Sequence, residues 1–190
     1  MTSAPSSPIP LNRRRLIAAG AAGLAALAPA AAWALDRPKL SRQANHALSQ
    51  LYANDSTARA LGAQALAVLV FPEITKAGFI VGGENGDGVL YLGRSVAGFY
   101  SITAGSIGLQ AGAQKYGYAL FFMNQKALDY LRRSDGWSIG TGPTVVIVDK
   151  GFAKNFNTTT ARKDVYAVAF DQKGLMAGLG LQGSKIAPIH

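Results

Sequence analysis

FPEITKAGFIVGGENGDGVLYL, residues 71–92, followed after a short gap by GSIGLQAGAQ, residues 105–114, decides how this chain is read. Gly78 to Gly83 and Gly88 to Leu92 flank Glu84-Asn85-Gly86-Asp87, and the turn preference of those four residues predicts a hairpin link between two strands. From Ser106 to Gln114 the period is two: Ile107, Leu109, Ala111 and Ala113 alternate with Ser106, Gly108, Gln110, Gly112 and Gln114. One side of that strand is apolar, and the other holds only small or amide residues. Glycine inside a strand weakens it and marks sharp curvature or a close backbone approach. A succession of such strands predicts a curled or closed antiparallel sheet.

Upstream, Ala67 to Phe71 is a short apolar run ended by Pro72, as in a buried strand. Before it, Leu40, Ala44, Ala47, Leu48, Leu51 and Tyr52 fall on one stripe of a helix, and Asp55 or Ser56 can cap a second helix reaching about Gln64. Downstream, a turn is expected at Lys115 to Gly117, then a central strand from Tyr118 to Met123 and a helix from Gln125 to Arg133 capped by Asn124. Thr144 to Val148, Val165 to Phe170 and Leu175 to Leu181 are the remaining strand candidates, with Asp171-Gln172-Lys173-Gly174 turning between the last two. The expected fold is α+β: a strongly bent or barrel-like antiparallel β-sheet of about eight strands, with two N-terminal helices and one internal helix.

The first 34 residues differ from the rest in being alanine-rich and free of acids. Arg13, Arg14 and Arg15 form a basic n-region, Leu16 to Ala28 a weakly apolar core, and Ala32-Trp33-Ala34 a small-x-small cleavage site. The pair Arg13 and Arg14 ahead of Leu16 and Ile17 resembles a twin-arginine signal. Leu16 to Leu35 carries no charge and is long enough to cross a bilayer, but its small residues and Pro29 favour a cleaved signal over an anchor. The reading is therefore a signal at 1–34 and a single domain at 35–190, periplasmic or otherwise exported. Without the signal, 16 Lys/Arg face 10 Asp/Glu, so the domain is basic. With no cysteine in the chain, disulfides and thiolate-metal sites are excluded.

Motifs that announce an enzyme do not hold up. GLGLQGSK at 178–185 has phosphate-loop glycine spacing but ends in Ser-Lys where Lys-Ser/Thr is required. Ser106 lies in AGSIG rather than in a nucleophile elbow. The turn-like Glu84 to Asp87 lacks the spaced carboxylates of a calcium loop. His46 and His190 are the only histidines, so no histidine metal cluster forms. No catalytic residue, metal or cofactor is expected. Export and the lack of a basic run interleaved with aromatics argue against nucleic acid.

FPEITKAGFIVGGENGDGVL at 71–90, SIGLQAGAQ at 106–114, FFMN ending at Asn124 and GLMAGLGLQGSKI at 174–186 together resemble the SYLF domain family. The resemblance runs in order through most of residues 40–186. It implies a lipid-binding domain, with acidic or phosphorylated headgroups as the usual target and an N-terminal amphipathic helix often involved. Actin, a partner of one eukaryotic member, is not expected for an exported chain without accessory domains.

Charge and resemblance point to the same candidates. A basic domain attracts anionic surfaces, where each Lys or Arg contributes about 1 kcal/mol. Arg37, Lys39 and Arg42 flank the Leu40 stripe as a basic opening helix, Lys76 lies in the ITKAGF block, and Lys150, Lys154, Arg162 and Lys163 cluster in an expected surface loop. The leading expectation is a non-enzymatic module for anionic phospholipid or amphiphile, making peripheral membrane contact. The alternative is a structural or partner-binding envelope protein that docks another protein through the small-residue sheet face.

Overall fold

The computed structural model describes residues 35–78, 81–107, 112–148, 163–173, 181 and 183–190. Helix α1 spans Arg37–Asn54 and α2 Ser56–Gln64. Asp36 caps α1 by accepting the Lys39 N–H at 2.9 Å, and Asp55 caps α2 by accepting from Thr57 and Ala58. The strands follow as β1 Ala67–Gly78, β2 Val81–Leu92, β3 Ser95–Ile107 and β4 Gly112–Phe122. After α3, Gln125–Arg133, come β5 Trp137–Ser138, β6 Val145–Val148, β7 Val165–Lys173 and β8 Lys185–Pro188.

The eight strands form one strongly curled, half-barrel sheet in the order β5-β8-β3-β2-β1-β4-β7-β6. Every pairing is antiparallel except β6 with β7, which is parallel, so the sheet is mixed where an antiparallel one was expected. Alternation along each strand gives the sheet two buried faces. Leu69, Ile74, Leu120 and Ile102 look toward α3 and Trp137, while Val70, Val89, Phe121 and Val168 look toward α1 and α2.

Several expected turns are strand. Glu84 to Asp87 lies inside β2, paired on one side with β1 and on the other with β3. Two ladders of backbone hydrogen bonds outweigh the local turn preference of Asn and Gly. Lys115 to Gly117 is likewise continuous within β4, and Gly117 is needed because a Cβ there would run into the Phe170 ring. β1 continues past Pro72 with a register shift between Val70 and Glu73, the irregularity at which a sheet tolerates a missing N–H. β7 runs on to Lys173 through Asp171, whose φ is 51°. Residues 174–180 lie outside the described residues, as do 108–111. Of the expected final strand only Leu181 is described, and it is buried; the last described strand is β8.

One carboxylate gathers three segments. Asp164 Oδ1 accepts from Asn124 Nδ2 at 2.8 Å, and its Oδ2 accepts from the Thr144 N–H at 2.8 Å and Thr144 Oγ1 at 2.9 Å. These bonds, first among them the Thr144 N–H, hold the Asp164 carboxyl below the usual carboxylate range.

Candidate functional site

α1 seats Leu40, Ala44, Ala47 and Leu51 against β1 and β2, leaving a stripe of polar residues on each flank. Arg42, Asn45 and Ser49 form one stripe, and Gln43, His46 and Gln50 the other, each at i, i+3, i+7. The helix is fixed over β2 by the Tyr91 hydroxyl, which donates to the Ser41 carbonyl at 2.9 Å. Burial pushes the Tyr91 pKa up, so the phenol stays a donor.

Beside the first stripe, Leu92 pairs with Ser95, and Gly93-Arg94 connects β2 to β3 in two residues. Gly93 has φ +59°, the left-handed value that a type II′ turn requires at its first central position. This turn carries Arg94 toward α1. Ser41, Arg42, Asn45, His46, Ser49, Tyr91, Arg94 and Val96 line a cleft of about 470 Å³, with no acid among its described lining residues. Neither arginine belongs to the two ion pairs among the described residues, Lys115–Glu73 and Arg133–Asp129. Two free guanidiniums with hydroxyl and amide groups between them suit an oxyanion, which arginine can bind through two parallel bonds.

The opposite flank has the opposite charge. Gln43, His46 and Gln50 face Glu73, Asp87 and Asp171 across a cleft of about 410 Å³. Burial pushes the Asp87 carboxyl up, and Glu73 is tied to Lys115 at 2.7 Å. No group of three or more His, Asp or Glu among the described residues could hold a metal ion.

A third polar group lies on the α3 side of the sheet. Glu84 is 6% exposed and hydrogen-bonds the Tyr116 hydroxyl, while its Oε1, the Tyr118 hydroxyl and Ser184 Oγ are buried without partners. Burial, and then Glu84, drive the pKa values of Tyr116 and Tyr118 far up.

Of the described residues singled out in the sequence, only Arg42 enters the basic cleft. Arg37 stacks its guanidinium 5.3 Å from the Phe99 ring centre, and Lys39 is exposed on the first turn of α1. Lys76 is across the ladder from Glu84 and Gln114 on the α3 side, away from α1. Lys163 is exposed just before β7, with its N–H donating to the Tyr166 hydroxyl at 3.4 Å. Lys150, Lys154 and Arg162, like Arg13, Arg14, Ala32 and Ala34, lie outside the described residues. Arg94 was missed. Its signal is the two-residue Gly-Arg link between VLYL and SVAGF, a short-hairpin pattern.

A curled α+β domain with an open cationic cleft on its helix-covered face has the make-up of a small binding module. Residues 103–189 match the family model described as Ysc84, Las17-binding protein actin regulator, which is the model of the SYLF family. The match starts within β3, so α1, β2 and the basic cleft lie ahead of it. No curated protein matches the chain.

Proposed function

We propose that this domain is a binding module for anionic lipid or another anionic amphiphile at a membrane surface, carried by a chain that is exported. The observation that carries the reading is the cleft lined by both Arg42 and Arg94, each outside any ion pair and with no acidic residue among the described lining residues. The SYLF family, a family of lipid- or protein-binding domains, supports the class. The basic balance of residues 35–190 supports the sign of the target. Exposed Val96 beside Arg94 puts an apolar contact next to the charge, as a peripheral membrane surface requires. Actin regulation, the activity in the family's description, is not the reading for an exported chain. No helix among the described residues is long and apolar enough to cross a membrane.

Co-sedimentation with vesicles tests this. Binding to phosphatidylglycerol-containing vesicles that weakens as salt rises is the expected result. Equal, salt-insensitive binding to neutral vesicles would refute it. Export is tested separately by the N-terminus of the protein recovered from the periplasm, expected at Leu35.

A second reading has one observation in its favour. Ala113, Ala77, Gly83 and Gly105 are successive cross-strand neighbours, all exposed on one sheet face. Such a flat patch suits docking of an envelope protein. Capture of that partner without lipid preference would favour this reading.

A further inference from the structure

The basic cleft is one end of a longer groove. A second cleft of about 550 Å³ shares Asn45, Ser49, Tyr91 and Arg94 with it and continues between α1, α2 and the start of β1. Its far part is lined by Leu48, Tyr52, Ala65 and Val68, which belong to or pack on the apolar cluster under α1 and α2. Arg94 is the only charged residue among its described lining residues. Gly62 forms part of the wall, where a Cβ would run into the Tyr52 ring, so glycine at this place lets α2 lie close beside that ring. Each cleft has a volume typical of small-molecule sites, roughly 300–1,000 Å³.

Among the described residues, charge is confined to one end of this groove, and the apolar side chains line the other, where the Tyr52 hydroxyl is the polar exception. From that polarity we infer that the groove takes one molecule of a single-chain anionic amphiphile, an alkyl phosphate or its equivalent. Its headgroup lies between Arg42 and Arg94, and its chain runs past Leu48 and Tyr52 to Ala65 and Val68. The inference rests on the anionic-amphiphile reading above and deepens it: the domain holds a monomer and does not merely lie on a charged surface. The headgroup end alone would bind inorganic phosphate weakly, because exposed guanidiniums remain in competition with water and salt. The chain supplies the rest, about four-fold in affinity for each methylene fully buried.

Calorimetric titration of the full chain with butyl, hexyl, octyl and decyl phosphate, each below its aggregation concentration, provides the test. Expected are one site per chain, affinity climbing with chain length until the groove is filled, weak binding of inorganic phosphate and weak binding of neutral decyl glucoside. Arg94→Gln and Arg42→Gln should each cost about ten-fold in decyl phosphate affinity. Ala65→Leu, which shortens the apolar end, should weaken decyl phosphate while leaving butyl phosphate unchanged, with the circular dichroism of the folded protein retained. Affinity independent of chain length, equal binding of decyl glucoside, or no loss in the arginine variants would each overturn the inference. Salt-sensitive binding to anionic vesicles without binding of any monomer would overturn it and leave the broader function standing. Loss of both would remove the two together.

Discussion

The two clefts beside α1 are similar in size, about 470 and 410 Å³, and opposite in charge. Arg42 and Arg94 border one, and Glu73, Asp87 and Asp171 the other, while His46 borders both. One helix seated on one sheet thus separates a cationic flank from an anionic one by about a helix diameter, about 10 Å. An arrangement of this kind defines an orientation: near an anionic surface the Arg94 flank is drawn in and the Asp171 flank is held away. Net charge alone would give attraction without a preferred face.

That contrast can be broken or sharpened by substitution. Leu51→Ala should have the largest effect. It empties a buried contact that holds α1 down, costing about 2–5 kcal/mol in urea unfolding and disturbing both flanks together. Replacing Arg42 and Arg94 together by glutamine should remove about 2 kcal/mol of attraction to anionic vesicles, about thirty-fold in partitioning. It should also flatten the salt dependence and leave unfolding unchanged. Tyr91→Phe removes the bond to the Ser41 carbonyl and should cost about 0.5–1.5 kcal/mol of stability, read by the same urea midpoint.

The smallest change is expected on the acidic flank. Burial raises the Asp87 carboxyl pKa in the folded protein, so folding favours its protonated form and Asp87 erodes stability as pH rises from the unfolded value through the folded one. Asp87→Asn should therefore stabilise the protein slightly at pH 7 and leave it unchanged at pH 3. A thermal-melt series across that range should show a flatter profile for the variant. Its vesicle binding should stay the same or improve, because the change touches only the flank turned away.

How much of this could be read in the sequence depends on how local its cause is. The α1 stripe was legible because helical period and burial coincide at Leu40, Ala44, Ala47 and Leu51, and the caps Asp55 and Asn124 were legible as side-chain chemistry. Glu84 to Asp87 misled because turn preference is a local property, whereas its place in β2 is set by partners on β1 and β3. Parallel pairing of β6 with β7 leaves no mark in a run such as VVIV. The site divides in the same way. Arg42 stands out as a cation on an amphipathic helix, but its counterpart Arg94 comes from the turn after β2, a strand tied to α1 by Tyr91 and Ser41, 50 residues apart. Among the described basic residues grouped with Arg42 in the sequence, Lys76 does not join it in space: it lies on the far side of the sheet.

The Asp164 junction works as a latch on the sheet's last strand. β6 is four residues long, keeps Ile147 38% exposed and sits at the margin of the sheet, where no strand among the described residues pairs with its outer side. The seating of that strand against β7 begins where Thr144 meets a charged oxygen of Asp164. Because those bonds depress the Asp164 pKa, the latch holds through mildly acid conditions and lets go only once the carboxylate is protonated. Strong acid would then loosen the entry to VVIV at Thr144, while its ladder with β7 and the packing of Val145 and Val148 remain. A single aspartate thus sets the acidity at which this margin of the sheet begins to loosen.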